Sequence, residues 1–148
     1  MKRDSRLSVA LHVLLHMNEE NGSATSEVLG SRMETHPVVI RRTLGGLRRA
    51  GIVAAEKGHG GGWSLVGDLR SITVGDVYEA IGSPTAFTLG LRDPKSTCPI
   101  ERAVNHAIRD ALSEAETLLL ARLQAIPVAD VLKKANRSSG RRSRASSG

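Results

Sequence analysis

The sequence predicts a mainly α-helical fold that contains one small β-hairpin, and three observations support this prediction. Apolar residues recur at helical spacing in several segments, the longest of which lies between Pro99 and Pro127. The 148 residues include one Trp, one Tyr and one Phe, so the interior must consist mostly of aliphatic side chains, which favours helix packing. Two short apolar runs flank a glycine-rich segment at residues 57–62, where a hairpin turn is expected.

The first two helices are predicted to be separated by a short break. An apolar stripe that starts at Leu7, behind a polar cap at Asp4 or Ser5, predicts the first helix. Residues 21–23 end this helix, and a second one is expected from about Ser26 to Met33.

The third helix carries most of the arginines of the N-terminal half. It is expected from Pro37, which presets φ for a first helical position, to Ala50, which precedes Gly51. Its buried stripe is Ile40, Leu44 and Leu47, and its remaining surface carries Arg41, Arg42, Arg48 and Arg49. Two short helices joined by a tight turn, with arginines on the second, are typical of a helix-turn-helix, whose second helix enters the major groove of DNA.

A β-hairpin is predicted directly after this unit, with strands at Ile52–Glu56 and Trp63–Val66. Its turn includes three consecutive glycines, as some phosphate-binding loops do, but such loops lead into a helix and this one leads into a strand. We therefore interpret the hairpin as a wing whose thin tip enters the minor groove, where Lys57 is attracted to the negative potential. An ordinary hairpin turn is the alternative, and both interpretations can hold together.

The C-terminal half is predicted to consist of a short helix, a loop and a long helix. Thr73 and Asp76 have the spacing of a capping box, and Gly82 follows the end of that fourth helix. The predicted domain plan is a winged helix-turn-helix domain at 1–82, a loop at 83–97, a long helix with a short following helix at 98–135, and a disordered basic tail at 136–148.

The long helix would span roughly 40 Å, at about 1.5 Å per residue. This is longer than the core of a small winged helix-turn-helix domain at 1–82, which we call the head, requires. Its apolar face is therefore expected to meet a second copy of the chain. The residues predicted to pair the two copies are Ile100, Val104, Ile108, Leu112, Ala115, Leu119 and Leu123.

The net charge of +6 is unevenly distributed along the chain. Residues 1–66 hold nine basic and six acidic groups, residues 67–132 hold six and nine, and the segment from Lys133 onward holds six basic groups and no acid. A basic N-terminal half fits a nucleic-acid partner.

The single cysteine fits a reducing cytoplasm, and no apolar run approaches the ~20 residues that span a bilayer. We therefore expect a cytoplasmic protein without a membrane partner.

The region from Thr25 to Leu65, with the runs RRAGIV and KGHGGGWSL, followed by SITVGDVYEAI, resembles the IscR/NsrR/CymR family of bacterial winged-helix regulators. The likeness covers roughly residues 7–132. It implies a homodimer crossed through the long helices, with the third helix in the major groove and the wing in the minor groove. Well-known members hold an iron–sulfur cluster on three cysteines, of which only Cys98 is present, so the chain is similar to the cluster-free members and no cofactor is expected.

The candidate DNA-binding residues come from this resemblance and from the position of the arginines. The resemblance implies the recognition turn and wing tip, whereas Arg48 and Arg49, at the far end of the helix, are expected on phosphates. The complete predicted set is Ser26, Thr35, His36, Val38, Val39, Arg41, Arg42, Arg48, Arg49, Lys57 and His59. A solvated basic face is the alternative.

Three further features were open to more than one interpretation. Cys98 precedes Pro99, so it is expected at the N-cap of the long helix, where it is either a redox-sensing thiol or a structural residue. His12 and His16 lie one turn apart without a third ligand, so no metal site is predicted. Gly45 and Gly46 cost the third helix ~0.8 to 1 kcal/mol each relative to alanine, and either approach to DNA or a helix, or simple tolerance, would explain them.

Together these features predict a dimeric transcription regulator, more specifically a repressor, that binds an imperfect palindrome in double-stranded DNA. No catalytic arrangement of Ser, His and Asp or of Cys and His is recognisable, so catalysis is not expected. A winged helix used only for protein assembly and a small enzyme with an unrecognised active site are the alternatives.

Overall fold

A computed structural model describes residues 3–21, 23–58 and 61–145. Its helices are α1 (Arg6–Glu19), α2 (Ser26–Arg32), α3 (Pro37–Arg49), α4 (Val74–Ala80), α5 (Pro99–Gln124) and α6 (Val128–Ala145). Its strands are β1 (Ser23–Ala24), β2 (Val53–Ala55) and β3 (Trp63–Leu65). The predicted fold class is confirmed, since the chain is mainly helical with one small sheet.

The sheet has three antiparallel strands in the order β1-β3-β2. The predicted hairpin is present and pairs Val53 with Leu65, and Ser23 of β1 pairs with Ser64 on the other side of β3. Strand β1 was not predicted, because its two residues carry no periodic signal and its partner lies some forty residues further along the chain. It joins the wing to the segment before α2.

The core of the head forms around α1. Ala10, Val13, Leu14 and Met17 of this helix have no exposed surface. They pack with the buried stripe of α3 and with residues of α2, α4 and the segments that join them, namely Leu29, Ile40, Leu44, Leu47, Ile52, Val53, Leu69, Val74 and Val77. Helix α3 is thereby held by the apolar side that the sequence predicts.

The predicted starts of α2 and α4 and the predicted stops after α3 and α4 are confirmed. Thr25 caps α2 by accepting a hydrogen bond from the amide of Val28, and Thr73 and Asp76 form the capping box of α4. Gly51 and Gly82 follow α3 and α4 with φ of +76° and +94°, a backbone conformation that favours glycine.

The end of α5 returns to the head instead of extending away from it. The amide of Val74 donates to Ile126 O at 2.8 Å, and the amide of Val128 donates to Ile72 O at 2.8 Å. The Val128 side chain is fully buried in the core of the head. The predicted boundary between a head at 1–82 and a separate helical unit at 98–135 is therefore wrong at this end, because the junction of α5 and α6 belongs to the head.

Helix α6 corrects a second prediction. The sequence predicts one short turn to Ala135 and disorder from residue 136, whereas the structure is helical to Ala145. The prediction treated the absence of apolar residues as the absence of structure. Four of the ten residues at 136–145 are arginines, which favour helices, and no proline interrupts the segment.

The segment at 83–97 has no regular helix or strand, as predicted, and is anchored near both ends. The Tyr78 hydroxyl donates to the carbonyl of Pro84, and the Asn105 side-chain amide donates to Asp93 O at 2.8 Å. Asn105 is buried, so the loop covers one side of α5. Within the described ranges, no helix is both long and apolar enough to cross a membrane.

Candidate nucleic-acid interface

The turn between α2 and α3 fixes the angle at which α3 leaves the head. The Thr35 amide donates to Gly30 O at 2.9 Å, and its hydroxyl donates to Met33 O at 3.0 Å. A Cβ on Gly30 would lie 2.6 Å from Thr35 O, so only glycine permits this approach. Thr35, a predicted DNA residue, thus uses its hydroxyl as a donor inside the turn.

The first turn of α3 presents apolar surface. His36 is the N-cap, and its Nδ1 accepts a hydrogen bond of 3.2 Å from the amide of Val38. The side chains of Val38 and Val39 are about two-fifths exposed, as is that of Val28 on α2. Exposed apolar groups at the start of such a helix suit contact with thymine methyl groups in a major groove.

The arginines of α3 differ in how free they are. Arg41 forms an ion pair of 3.2 Å with Glu27 of α2. Arg42, Arg48 and Arg49 are exposed, and in the described part of the chain none of them forms an ion pair. Three guanidinium groups are therefore available to an external anion.

One line of residues on α3 points directly away from the core. At 100° per residue, the positions opposite the buried stripe are Val38, Arg42, Gly45 and Arg49, spaced four, three and four residues apart. We call this line the outer ridge. It begins with an apolar group, continues with a cation and a glycine, and ends with a second cation.

A cavity of about 460 Å³ opens beside the outer ridge, between α1, α3 and the end of α4. Arg42 and Arg49 line it, together with Arg6 at the start of α1 and Glu79. Arg6 also binds Asp4, and its hydrogen bonds hold the pKa of that carboxyl below its ordinary value. The cavity therefore has a basic wall, suited to a phosphate of a DNA backbone that passes along the ridge.

The wing is a tight hairpin in which the fold itself requires two glycines, Gly61 and Gly62. The Glu56 amide donates to Gly62 O at 2.7 Å. A Cβ on Gly61 would lie 2.5 Å from Glu56 O, and one on Gly62 would lie 2.6 Å from Ala24 O. The interpretation as a structural turn thus holds for both, and it does not conflict with a wing. Lys57 is exposed beside the turn, whereas His59 lies outside the described residues.

Ser26 does not lie where a DNA-contacting side chain would. It is only 5% exposed, and its hydroxyl accepts a hydrogen bond of 3.1 Å from Nε1 of Trp63. The expectation that this side chain faces DNA is therefore corrected. Ser26 instead connects the start of α2 to the wing.

Three residues around α3 were not predicted as part of this surface, and a fourth, Gly45, had been left open between approach to DNA and simple tolerance. Glu27 pairs with Arg41, Val28 is exposed nearby, and Arg6 and Gly45 lie at the cavity and on the outer ridge. The spacing of Gly45 from Arg42 and Arg49 contained the signal for that residue. The positions of the other three depend on how α1 and α2 pack against α3.

The predicted pairing residues of α5 fall on two different faces. Leu119 and Leu123 line a cavity of about 510 Å³ with Leu7, Tyr78 and residues of the loop, so they face their own head. Ile108, Leu112 and Ala115 are half-buried. Ile100 is 77% exposed and Val104 is 50% exposed. The predicted pairing residues therefore do not form a single face: some of them pack against the chain's own head, and others are exposed.

A free apolar stripe follows the exposed members of that set. Its residues recur at intervals of three, four and seven, and we call them the outer stripe: Ile100, Val104, Ala107, Ala111 and Leu118. Leu118 is 73% exposed, although it was not among the predicted pairing residues. This spacing is that of a seam between two helices.

Cys98 occupies the predicted N-cap position of α5. It is exposed, and its side chain makes no capping hydrogen bond, while its amide donates to the Ser96 hydroxyl at 3.2 Å. Cys98 is the only cysteine of the chain, whereas a cluster on three cysteines would need two more, and the described residues include no group of three His, Cys, Asp or Glu side chains that could hold a metal.

Comparison with known proteins identifies the family. The family model described as "Rrf2: Iron-dependent Transcriptional regulator" matches residues 3–134. The chain is 28% identical over 131 residues to YwnA of Bacillus subtilis, named as an HTH-type transcriptional regulator, and this match covers 87% of the chain and 96% of YwnA.

Two solved structures have a similar fold. A transcriptional regulator from Lactobacillus plantarum superposes with a TM-score of 0.77 at 24% identity, and the match covers 89% of this chain and 90% of that one. The T. potens IscR superposes with a TM-score of 0.61 at 20% identity, and here the match covers 93% and 90%. The family match, the curated relative and the winged-helix architecture agree, and the chain belongs to the Rrf2 family of transcriptional regulators.

Proposed function

We propose that this protein is a homodimeric, cytoplasmic repressor that recognises an imperfect palindrome in double-stranded DNA. The observation that carries the proposal is the outer ridge, which presents two exposed arginines opposite the buried stripe of α3, neither of them in an ion pair with another described residue. Guanidinium groups pair with guanine edges and with phosphates, and a helix held by its apolar side can present them to the major groove.

The outer stripe of α5 supports the dimer. Its large apolar side chains are exposed in the isolated chain, and burial of such surface against a second copy would stabilise an assembly by ~25 cal/mol per Å². A two-fold pair of heads would then place two α3 helices on half-sites one helical turn of DNA apart, roughly 34–36 Å. Occupancy of such a site by both heads can block transcription without further contacts, which is why we propose repression.

Selection from a random-sequence duplex library tests DNA recognition. The purified chain should enrich a palindromic motif and bind the selected duplex about 10³-fold or more tightly than a scrambled duplex at moderate salt. Arg42→Ala should weaken binding to the selected duplex by about tenfold or more. Arg92→Ala, which removes an exposed charge from the loop, is the matched control and should change it little.

Two outcomes would contradict this proposal. A chain that enriches no motif and binds all duplexes with the same salt-sensitive affinity would fit a protein-assembly module instead. A selected duplex that leaves transcription from an adjacent promoter unchanged in a purified system would contradict repression while leaving DNA recognition intact.

Cys98 is proposed as a redox-responsive thiol. The support is its exposure and its position at the N-cap of α5, directly after the loop at 83–97. Peroxide should change the affinity of the wild type for the selected duplex and leave that of Cys98→Ser unchanged. Identical responses of the two proteins would leave Cys98 with a structural role only.

A further inference from the structure

Helix α3 contains two adjacent glycines, and the fold of the chain explains only one of them. A Cβ on Gly46 would lie 2.9 Å from the carbonyl oxygen of Ala80, so the close packing of α3 on α4 requires glycine there. A Cβ on Gly45 would meet only Nη1 of Arg49, at 3.8 Å, which is an ordinary contact with a flexible side chain. No packing inside the described structure therefore requires glycine at position 45.

Glycine at this position nevertheless weakens the protein. Gly45 lies in the interior of a thirteen-residue helix, where glycine is less favourable than alanine because it loses more backbone freedom on folding. Its φ is not in the left-handed region, so alanine could adopt the same backbone. The reason for this glycine is thus expected outside the chain.

The position of Gly45 identifies what approaches it. It lies on the outer ridge between Arg42 and Arg49, three residues after one and four before the other, so the three share one face of the helix. Neither arginine has an ion pair within the described ranges. An anionic surface that meets both guanidinium groups must pass directly over the backbone of Gly45.

We propose that Gly45 is the point of closest approach between α3 and the base edges of the major groove, and that the missing side chain lets Arg42 and Arg49 reach DNA on either side of it. The inference rests on the proposed function and adds a residue that determines how deeply the helix enters the groove. It also explains the weakened helix, since the fold gives up stability at this position for fit to DNA.

Gly45→Ala and Gly45→Gln test the proposal, because they should move stability and binding in opposite directions. Gly45→Ala should raise the Tm by about 2–4 °C. It should bind the selected duplex about tenfold more weakly than the wild type, and Gly45→Gln more weakly still. Both should keep wild-type affinity for a scrambled duplex at low salt, within about twofold, because that affinity depends on phosphates.

Gly90→Ala is the matched control. Gly90 lies in the loop at 83–97, and a Cβ there would meet no atom within 4 Å, so the same added methyl group should change neither operator affinity nor specificity.

Two results would overturn the inference for Gly45 while the proposed function stands. One is wild-type affinity of Gly45→Ala for the selected duplex. The other is a lowered Tm for Gly45→Ala, which would show that the glycine serves the fold. A wild type that fails to prefer the selected duplex would overturn the proposed function, and the inference with it.

Discussion

The indole Nε1 of Trp63 donates a hydrogen bond of 3.1 Å to the hydroxyl of Ser26, two residues that lie 37 positions apart. Ser26 is the first residue of α2 and Trp63 is the first of β3, so this bond joins the helix-turn-helix to the wing. The pairing of β1 with β3 joins the same two parts. The orientation of the wing relative to α3 therefore depends on buried contacts, and the turn alone does not set it.

Ser26→Ala should lower the free energy of unfolding by about 1–3 kcal/mol, because it leaves the partly buried indole N–H without its acceptor. Urea denaturation followed by fluorescence measures this directly, since Trp63 is the only tryptophan. Ser31→Ala, on the exposed side of the same helix, is the control and should change the value by less than about 0.5 kcal/mol. Equal stability of the two variants would mean that the bond contributes nothing.

Glu27→Gln should strengthen DNA binding several-fold. The substitution releases Arg41 from its ion pair and removes a carboxylate from the surface that is proposed to face phosphates. Because both side chains are at least half exposed, the stability should change by less than about 1 kcal/mol. Titration at several salt concentrations should show a slope steeper by roughly 0.9, the value for one further phosphate contact.

Glu116→Gln removes the same charge from the exposed surface of α5 and is the matched control. If both substitutions raise affinity equally, net charge alone is responsible, and the specific role of the Arg41–Glu27 pair is wrong.

Val38 should recognise the methyl group of a thymine. Replacing single thymines of the selected duplex with deoxyuridine should reveal one position where the wild type loses about fourfold in affinity, equivalent to ~0.8 kcal/mol for one buried methyl group. Val38→Ala should bind the selected duplex more weakly than the wild type, and deoxyuridine at that position should lower its affinity little further. Leu89→Ala, which shortens a still more exposed apolar side chain in the loop, should retain the full sensitivity to deoxyuridine. If deoxyuridine lowered the affinity of Val38→Ala as much as that of the wild type, the proposed contact between Val38 and the thymine methyl group would be contradicted.

Leu118→Glu should convert the proposed dimer into monomers, because it places a carboxylate on the outer stripe that a second copy would cover. Sedimentation measures the change in mass, and operator affinity should fall by about 10²-fold or more as the two heads lose their linkage. Ser113→Glu adds the same charge to an exposed position on the opposite side of α5 and should remain dimeric. A dimeric Leu118→Glu would place the contact elsewhere.

The features that could be predicted from the sequence are those that depend on residues close together in the chain, namely helix caps and helical periodicity. Pro37, Thr25 and the pair Thr73 and Asp76 mark helix starts through contacts within a few residues, and the stripe of Ile40, Leu44 and Leu47 fixes which side of α3 is buried. The arginines on its exposed side follow from the same periodicity. These features establish the helix-turn-helix, the hairpin and the long helix.

Contacts between distant segments decided the rest. Strand β1 exists because β3 lies beside it, Ser26 is buried because Trp63 reaches it, and Leu123 faces the head because the amide of Val128 binds Ile72 O. The sequence by itself determined which side of each helix is apolar. Only the tertiary structure decided which apolar side chains of α5 the head covers and which remain free, since helical periodicity specifies a face but not its partner.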